Sequence, residues 1–126
     1  MAAIIPPMFS EALLDHFRNP RNAGELPEAT AKVKVSNPVC GDVLQLAATL
    51  EDGVVRQVRF LCRGCTASIA CASLLTETIQ GRESHELKQI TAESLSKALG
   101  GLPPASFHAA QLAQDALEAL LRAARK

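Results

Sequence analysis

Val58–Glu77, VRFLCRGCTASIACASLLTE, is the stretch whose reading decides the fold. A strand runs in through Val58 and Phe60. Gly64 turns the chain. The segment after it is rich in alanine and serine and carries Ile69, Leu74, Leu75 and Ile79 at helical spacing, with Gly81 as a C-terminal stop. A strand thus runs directly into a helix, and three of the four cysteines, Cys62, Cys65 and Cys71, lie at or near the junction. Cys65 is placed where the helix begins. Unpaired N–H groups and the positive end of the dipole there favour a thiolate, the form that binds metal or attacks sulfur.

Upstream of this junction the chain reads as extended. Ala31 to Ser36 alternates Lys32 and Lys34 with Val33 and Val35. Val43 to Leu50 is a second strand, and Glu51-Asp52-Gly53 is a hairpin signal leading into the third, Val54 to Leu61. The three form an antiparallel meander. A helix precedes them: Ser10 is its N-cap, Leu13, Leu14 and Phe17 its apolar face, and Pro20 stops it near Asn19. Met1 to Met8 is a loose N-terminal segment. Downstream, Glu86 to Ile90 is a short helix and Thr91 caps another from Ala92 to Leu99. After the Gly100-Gly101-Leu102-Pro103-Pro104 break, Ser106 caps a last helix from about Phe107 to Ala123, with Leu112, Ala116, Leu117, Leu120 and Leu121 inward. Segregated strands and helices predict an α+β fold: a three-stranded antiparallel sheet covered by helices, with one helix before the sheet, in a single domain spanning residues 1–126.

Composition narrows the function. Thirteen basic residues balance thirteen acidic ones, so there is no electrostatic footprint for nucleic acid or a membrane surface. The only aromatic residues are four Phe, which argues against base-stacking platforms. No apolar run is long enough to span a bilayer, and the N-terminus has neither the basic start nor the longer apolar core of a signal peptide. These features predict a cytoplasmic protein. In that reducing compartment cysteines serve metal binding, catalysis or burial more often than disulfides.

Two constellations carry chemistry. Cys40-Gly41-Asp42 puts a thiol and a carboxylate on one side of an extended backbone, where both can reach one metal ion. The alternative is a buried Cys beside a turn Asp. Cys62-Arg63-Gly64-Cys65 is a C-x-x-C between strand and helix, the position of a thiol–disulfide redox pair. That redox reading leaves Cys40-Gly41-Asp42 unexplained, and no βαβ pattern surrounds it. Cys71 lies about 240° round the helix from Cys65 and reads as a packed thiol. His16 and His85 read as solvated surface groups. His108 opens the last helix, and its neighbourhood alone favours a surface or partly packed imidazole over a ligand.

Taken together, these residues resemble the U-type iron–sulfur cluster assembly scaffold family, the type of the N-terminal domain of the nitrogen-fixation scaffold. The likeness runs through Phe9-Ser10-Glu11, Leu14-Asp15-His16-Phe17, Asn19-Pro20-Arg21-Asn22, Gly24, Asn37-Pro38, Cys40-Gly41-Asp42 and Phe60. It continues through Gly64-Cys65, Ala67-Ser68-Ile69-Ala70, Leu75-Thr76-Glu77, Gly81, Leu102-Pro103-Pro104, His108, Leu112-Ala113 and Asp115-Ala116. The resemblance implies a non-enzymatic scaffold that binds a [2Fe–2S] cluster, iron or zinc. A cysteine desulfurase would supply its sulfur, and apo iron–sulfur proteins would accept the cluster. It further implies Cys40, Asp42, Cys65 and His108 as ligands. The family's third cysteine follows that His, where this chain has Ala109, and Cys62 is the thiol available to replace it. The chaperone-recognition segment Leu-Pro-Pro-Val-Lys reads Leu102-Pro103-Pro104-Ala105-Ser106 here, which argues against an Hsp70-type partner. A thiol–disulfide protein using Cys62 and Cys65, and a degenerate paralogue that binds a partner without building clusters, are the alternatives.

Overall fold

The computed structural model describes residues 9–38 and 41–124. The predicted loose segment 1–8 and Cys40 lie outside the described residues. Helix α1 (Glu11–Arg18) precedes a sheet of β1 (Ala31–Ser36), β2 (Val43–Glu51) and β3 (Val54–Arg63). Helices α2 (Thr66–Ile79), α3 (Ala92–Ala98) and α4 (Phe107–Ala124) follow, with 3-10 turns at Ser84–Gln89 and Pro104–Ser106. The sheet is antiparallel in the order β1-β2-β3, as the meander predicts.

The register turns sequence alternation into a core. Three rows face inward: Ala31–Ala48–Val58, Val33–Leu46–Phe60 and Val35–Leu44–Cys62. Helices α2 and α4 cover that face. Lys32, Lys34 and Leu61 point the other way and are exposed. Each fully buried leucine, such as Leu44, Leu46 or Leu75, contributes about 1.5–3 kcal/mol over leaving it in water. The β2–β3 hairpin closes through Asp52 and Gly53, both at positive φ (54° and 76°). That is the backbone a two-residue turn of the strands' own twist requires.

Several boundaries differ from those expected. β3 runs to Arg63 rather than Leu61, because residues 61–63 continue to pair with residues 43–45 of β2. Cys62 therefore lies within a strand, opposite Leu44. Ser106 belongs to a 3-10 turn that leads into α4, so it does not cap that helix. Leu121 is only half-buried, while Ala109, Ala110 and Ala113 are fully packed.

The buried face of α1 is also rotated from the expected one. Leu13 and His16 are buried, whereas Phe17 is 38% exposed. His16 is thus not a surface group. Its Nδ1 lies 2.8 Å from Ser73 Oγ and its Nε2 3.4 Å from Glu77 Oε1, both on α2. Ser73 Oγ already accepts the Arg21 N–H at 2.8 Å, so its proton is free to go to Nδ1. A neutral imidazole protonated at Nε2 satisfies every partner. Beyond α1, the Asn22–Gly24 backbone pairs with Phe60 on the free edge of β3. The chain then crosses the outer face of the sheet to reach β1, with Glu25 touching Gln45 and Ala47 left 3% exposed.

Candidate metal centre

The ends of β2 and β3, the start of α2 and the start of α4 meet at one edge of the molecule. Asp42 arrives first, immediately before β2. The loop that carries it is closed by Asn37 N–H to Asp42 O at 2.9 Å and Gly41 N–H to Asn37 O at 2.7 Å, with Gly41 at φ +78°. Cys65 arrives as the N-cap of α2, its backbone extended and its side chain making no cap bond. His108 arrives in the first turn of α4, half-buried. A carboxylate oxygen of Asp42, the Cys65 sulfur and a ring nitrogen of His108 all lie within 4.8 Å of one another.

Asp42 is the buried member of this trio, 7% exposed, while Cys65 is open to solvent. Burial of a carboxylate demands partners. Oδ2 accepts a hydrogen bond from the Ser68 hydroxyl, which is itself 1% exposed, and faces the Cys65 N–H at 3.4 Å. His108 Nε2 stands 3.9 Å from the same oxygen. Gly64 makes room for the carboxylate: a Cβ there would sit 2.7 Å from Asp42 Cγ, closer than real contacts allow. The conformational freedom of Gly64 matters less than its missing side chain.

The other predicted site residues fall differently. Cys62 does not join the trio. It is half-buried on the core-facing row of β3. Burial pushes its thiol up to about 12, and the nearby charges of Asp42 and Cys65 add to the effect. Cys71 is fully packed in the core, as its spacing predicts, and its thiol is also pushed up to about 12, chiefly by burial. His85 is exposed. Ala109 is 1% exposed, so the residue after His108 faces the interior.

Sequence reasoning passed over Ser68 as a site residue. Its signal was available: it stands three residues after Cys65, one helical turn on and on the same face.

A carboxylate, a thiol and an imidazole converging in this way can hold a metal ion through one oxygen, one sulfur and one nitrogen. Mixed sets of this kind suit zinc, and Cys/His mixtures also hold iron in some clusters. The chain matches the NifU-like N terminal domain over residues 8–125. It belongs to that family. Within the family's wider relatives, it is 40% identical over 110 residues to the iron–sulfur cluster assembly scaffold protein IscU 1 of Archaeoglobus fulgidus, covering 87% of this chain and 72% of that one. It is 37% identical over 117 residues to IscU of Haemophilus influenzae, covering 90% and 92%. The fold is shared with a nitrogen-fixing NifU-like N-terminal protein from Brucella abortus (TM-score 0.73, 19% identity, covering 98% of this chain and 96% of that one). Among the described residues, no helix of this family member is long and apolar enough to cross a membrane.

Proposed function

We propose that the chain is an iron–sulfur cluster assembly scaffold, a carrier and not a catalyst, working in the cytoplasm. The convergence of Asp42, Cys65 and His108 within 4.8 Å carries this reading. Membership of the NifU-like family and the likeness to IscU iron–sulfur cluster assembly scaffold proteins support it. In this reading Cys40, two residues before Asp42, supplies a second thiolate. The cargo is a [2Fe–2S] cluster or its iron. A cysteine desulfurase supplies the sulfur, and apo iron–sulfur proteins receive the product. The exposure of Cys65 suits transfer, since an acceptor's thiolates must reach the cargo.

The donor set also favours a second reading, tetrahedral zinc. Cys40, Cys65, Asp42 and His108 make a four-ligand mixed site, and Ala109 offers no further thiolate. The redox alternative gains nothing from the geometry. Cys62 sits within β3 and Cys65 at the α2 N-cap, so the two do not share a helical turn, and burial keeps Cys62 a thiol.

Anaerobic incubation with ferrous iron and sulfide tests the proposal. The unsubstituted protein is expected to gain visible absorption, Cys65→Ser to lose it, and Cys62→Ser to keep it. Colourless protein without bound iron rejects the cluster reading, and metal analysis of the purified protein then decides zinc. Loss of cargo on Cys62→Ser would instead make Cys62 a ligand.

A further inference from the structure

We propose that Ser68 is a positioning residue that holds Asp42 ready for the metal. The inference rests on the ligand set proposed above. Ser68 lies one helical turn after Cys65, and its hydroxyl reaches both proposed ligands. It donates to Asp42 Oδ2 and stands 3.3 Å from Cys65 Sγ. At 1% exposure the hydroxyl is sheltered from competing water, and Asp42 at 7% is nearly as well sheltered. A short buried carboxylate has few rotamers, and this one is bounded on two sides. The Gly64 backbone lies so close on one side that a Cβ there would sit 2.7 Å from Cγ, and Ser68 pins the oxygen on the other.

The consequence is preorganisation. A carboxylate oxygen has lone pairs enough to accept the serine hydrogen bond and still face a cation. Held this way, Oδ2 stays directed toward His108 Nε2, 3.9 Å away, and beside the Cys65 sulfur. Without the hydroxyl, Oδ2 loses its shorter hydrogen bond and keeps the longer Cys65 N–H contact at 3.4 Å, so it is held less tightly in line for the metal. Partners that orient metal-ligating side chains are typically worth 10–100-fold in metal affinity. Ser68 does not touch the metal in this scheme. It acts through Asp42.

A double-mutant cycle with cobalt(II), read by its thiolate and ligand-field absorption under anaerobic conditions, tests this. Ser68→Ala is expected to weaken cobalt binding about 10-fold or more in the otherwise unsubstituted protein. In an Asp42→Ala background the same substitution is expected to change nothing beyond about twofold, because the route through Asp42 is gone. Thermal melting of the metal-free proteins accompanies each titration. Alanine suits a buried first-turn helical position, so Ser68→Ala is expected to fold. An equal loss in both backgrounds overturns the proposal, since Ser68 would then act on Cys65 or on the fold. No loss from Ser68→Ala while Asp42→Ala weakens binding overturns the Ser68 role and leaves the ligand set standing. No loss from Asp42→Ala overturns both.

Discussion

At the scale of single residues, the site depends on what is missing as much as on what is present. Gly64 is the clearest case. Its Cα faces Asp42 so closely that any Cβ would collide with the carboxylate. Gly64→Ala is therefore expected to push Asp42 out of line, at a cost of about 1–3 kcal/mol in stability. Cobalt affinity should fall about 10-fold or more. Denaturant melts and cobalt titration check the two parts separately. An unchanged affinity would show that Asp42 adjusts freely and is not a held ligand. Ala109 is the opposite case. It is 1% exposed, so the position after His108 is filled by core packing and turns away from the metal.

At the scale of elements, α1 is anchored to α2 by polar contacts around one imidazole. Beside His16 stand Ser73, Glu77, Arg21 and Asp15, with Arg21 Nη2 2.6 Å from Asp15 Oδ2 and Arg21 Nε 3.6 Å from Glu77 Oε2. Burial lowers the basicity of His16 below its ordinary value of 6.5, and the Arg21 charge adds to this. Glu77 and Asp15 oppose it. A depressed histidine means that, as pH falls below 6.5, the unfolded chain takes up a proton that the folded chain refuses. Stability is full above that pH and declines on acidification through it. The urea midpoint is thus expected to drop between about pH 7.5 and pH 5.5. His16→Gln should flatten that slope. A slope that stays equally steep in the variant would place the proton uptake elsewhere.

At the scale of the whole molecule, the sheet's two faces have different tasks. The inner rows bind the helices that deliver Cys65 and His108, so the site is only as well placed as the core beneath it. Leu46 is fully buried in the middle row between Val33 and Phe60. Leu46→Ala is expected to cost about 2–5 kcal/mol, lost contacts and cavity together. Leu61→Ala, on the outer face at 39% exposure, is expected to stay within about 0.5 kcal/mol. Urea unfolding of the two variants measures the contrast. Equal losses would mean that the outer face is covered in solution.

Much of this was legible in the residues themselves. Alternation and turn chemistry specified the strands and their order, since a two-residue period leaves one choice of buried face. Ser10, Thr91 and Gly81 marked helix ends because caps and left-handed stops are local chemistry. Cys65 was legible as a helix-start residue for the same reason. Other features required the tertiary structure. Local pattern favoured Phe17 over His16 as the buried residue, and only the arrival of Ser73 and Glu77 on α2 made a buried imidazole tolerable. Cys62 and Cys65 read as one motif along the chain, but the extra pairing of β3 turns Cys62 toward the core and leaves it outside the trio. Asp42, Cys65 and His108 are spread over 67 positions of sequence. Their side chains meet because the sheet fixes two of them and α4 packs back to bring the third. Such long-range closure is held by the core as a whole, and no short stretch of sequence encodes it.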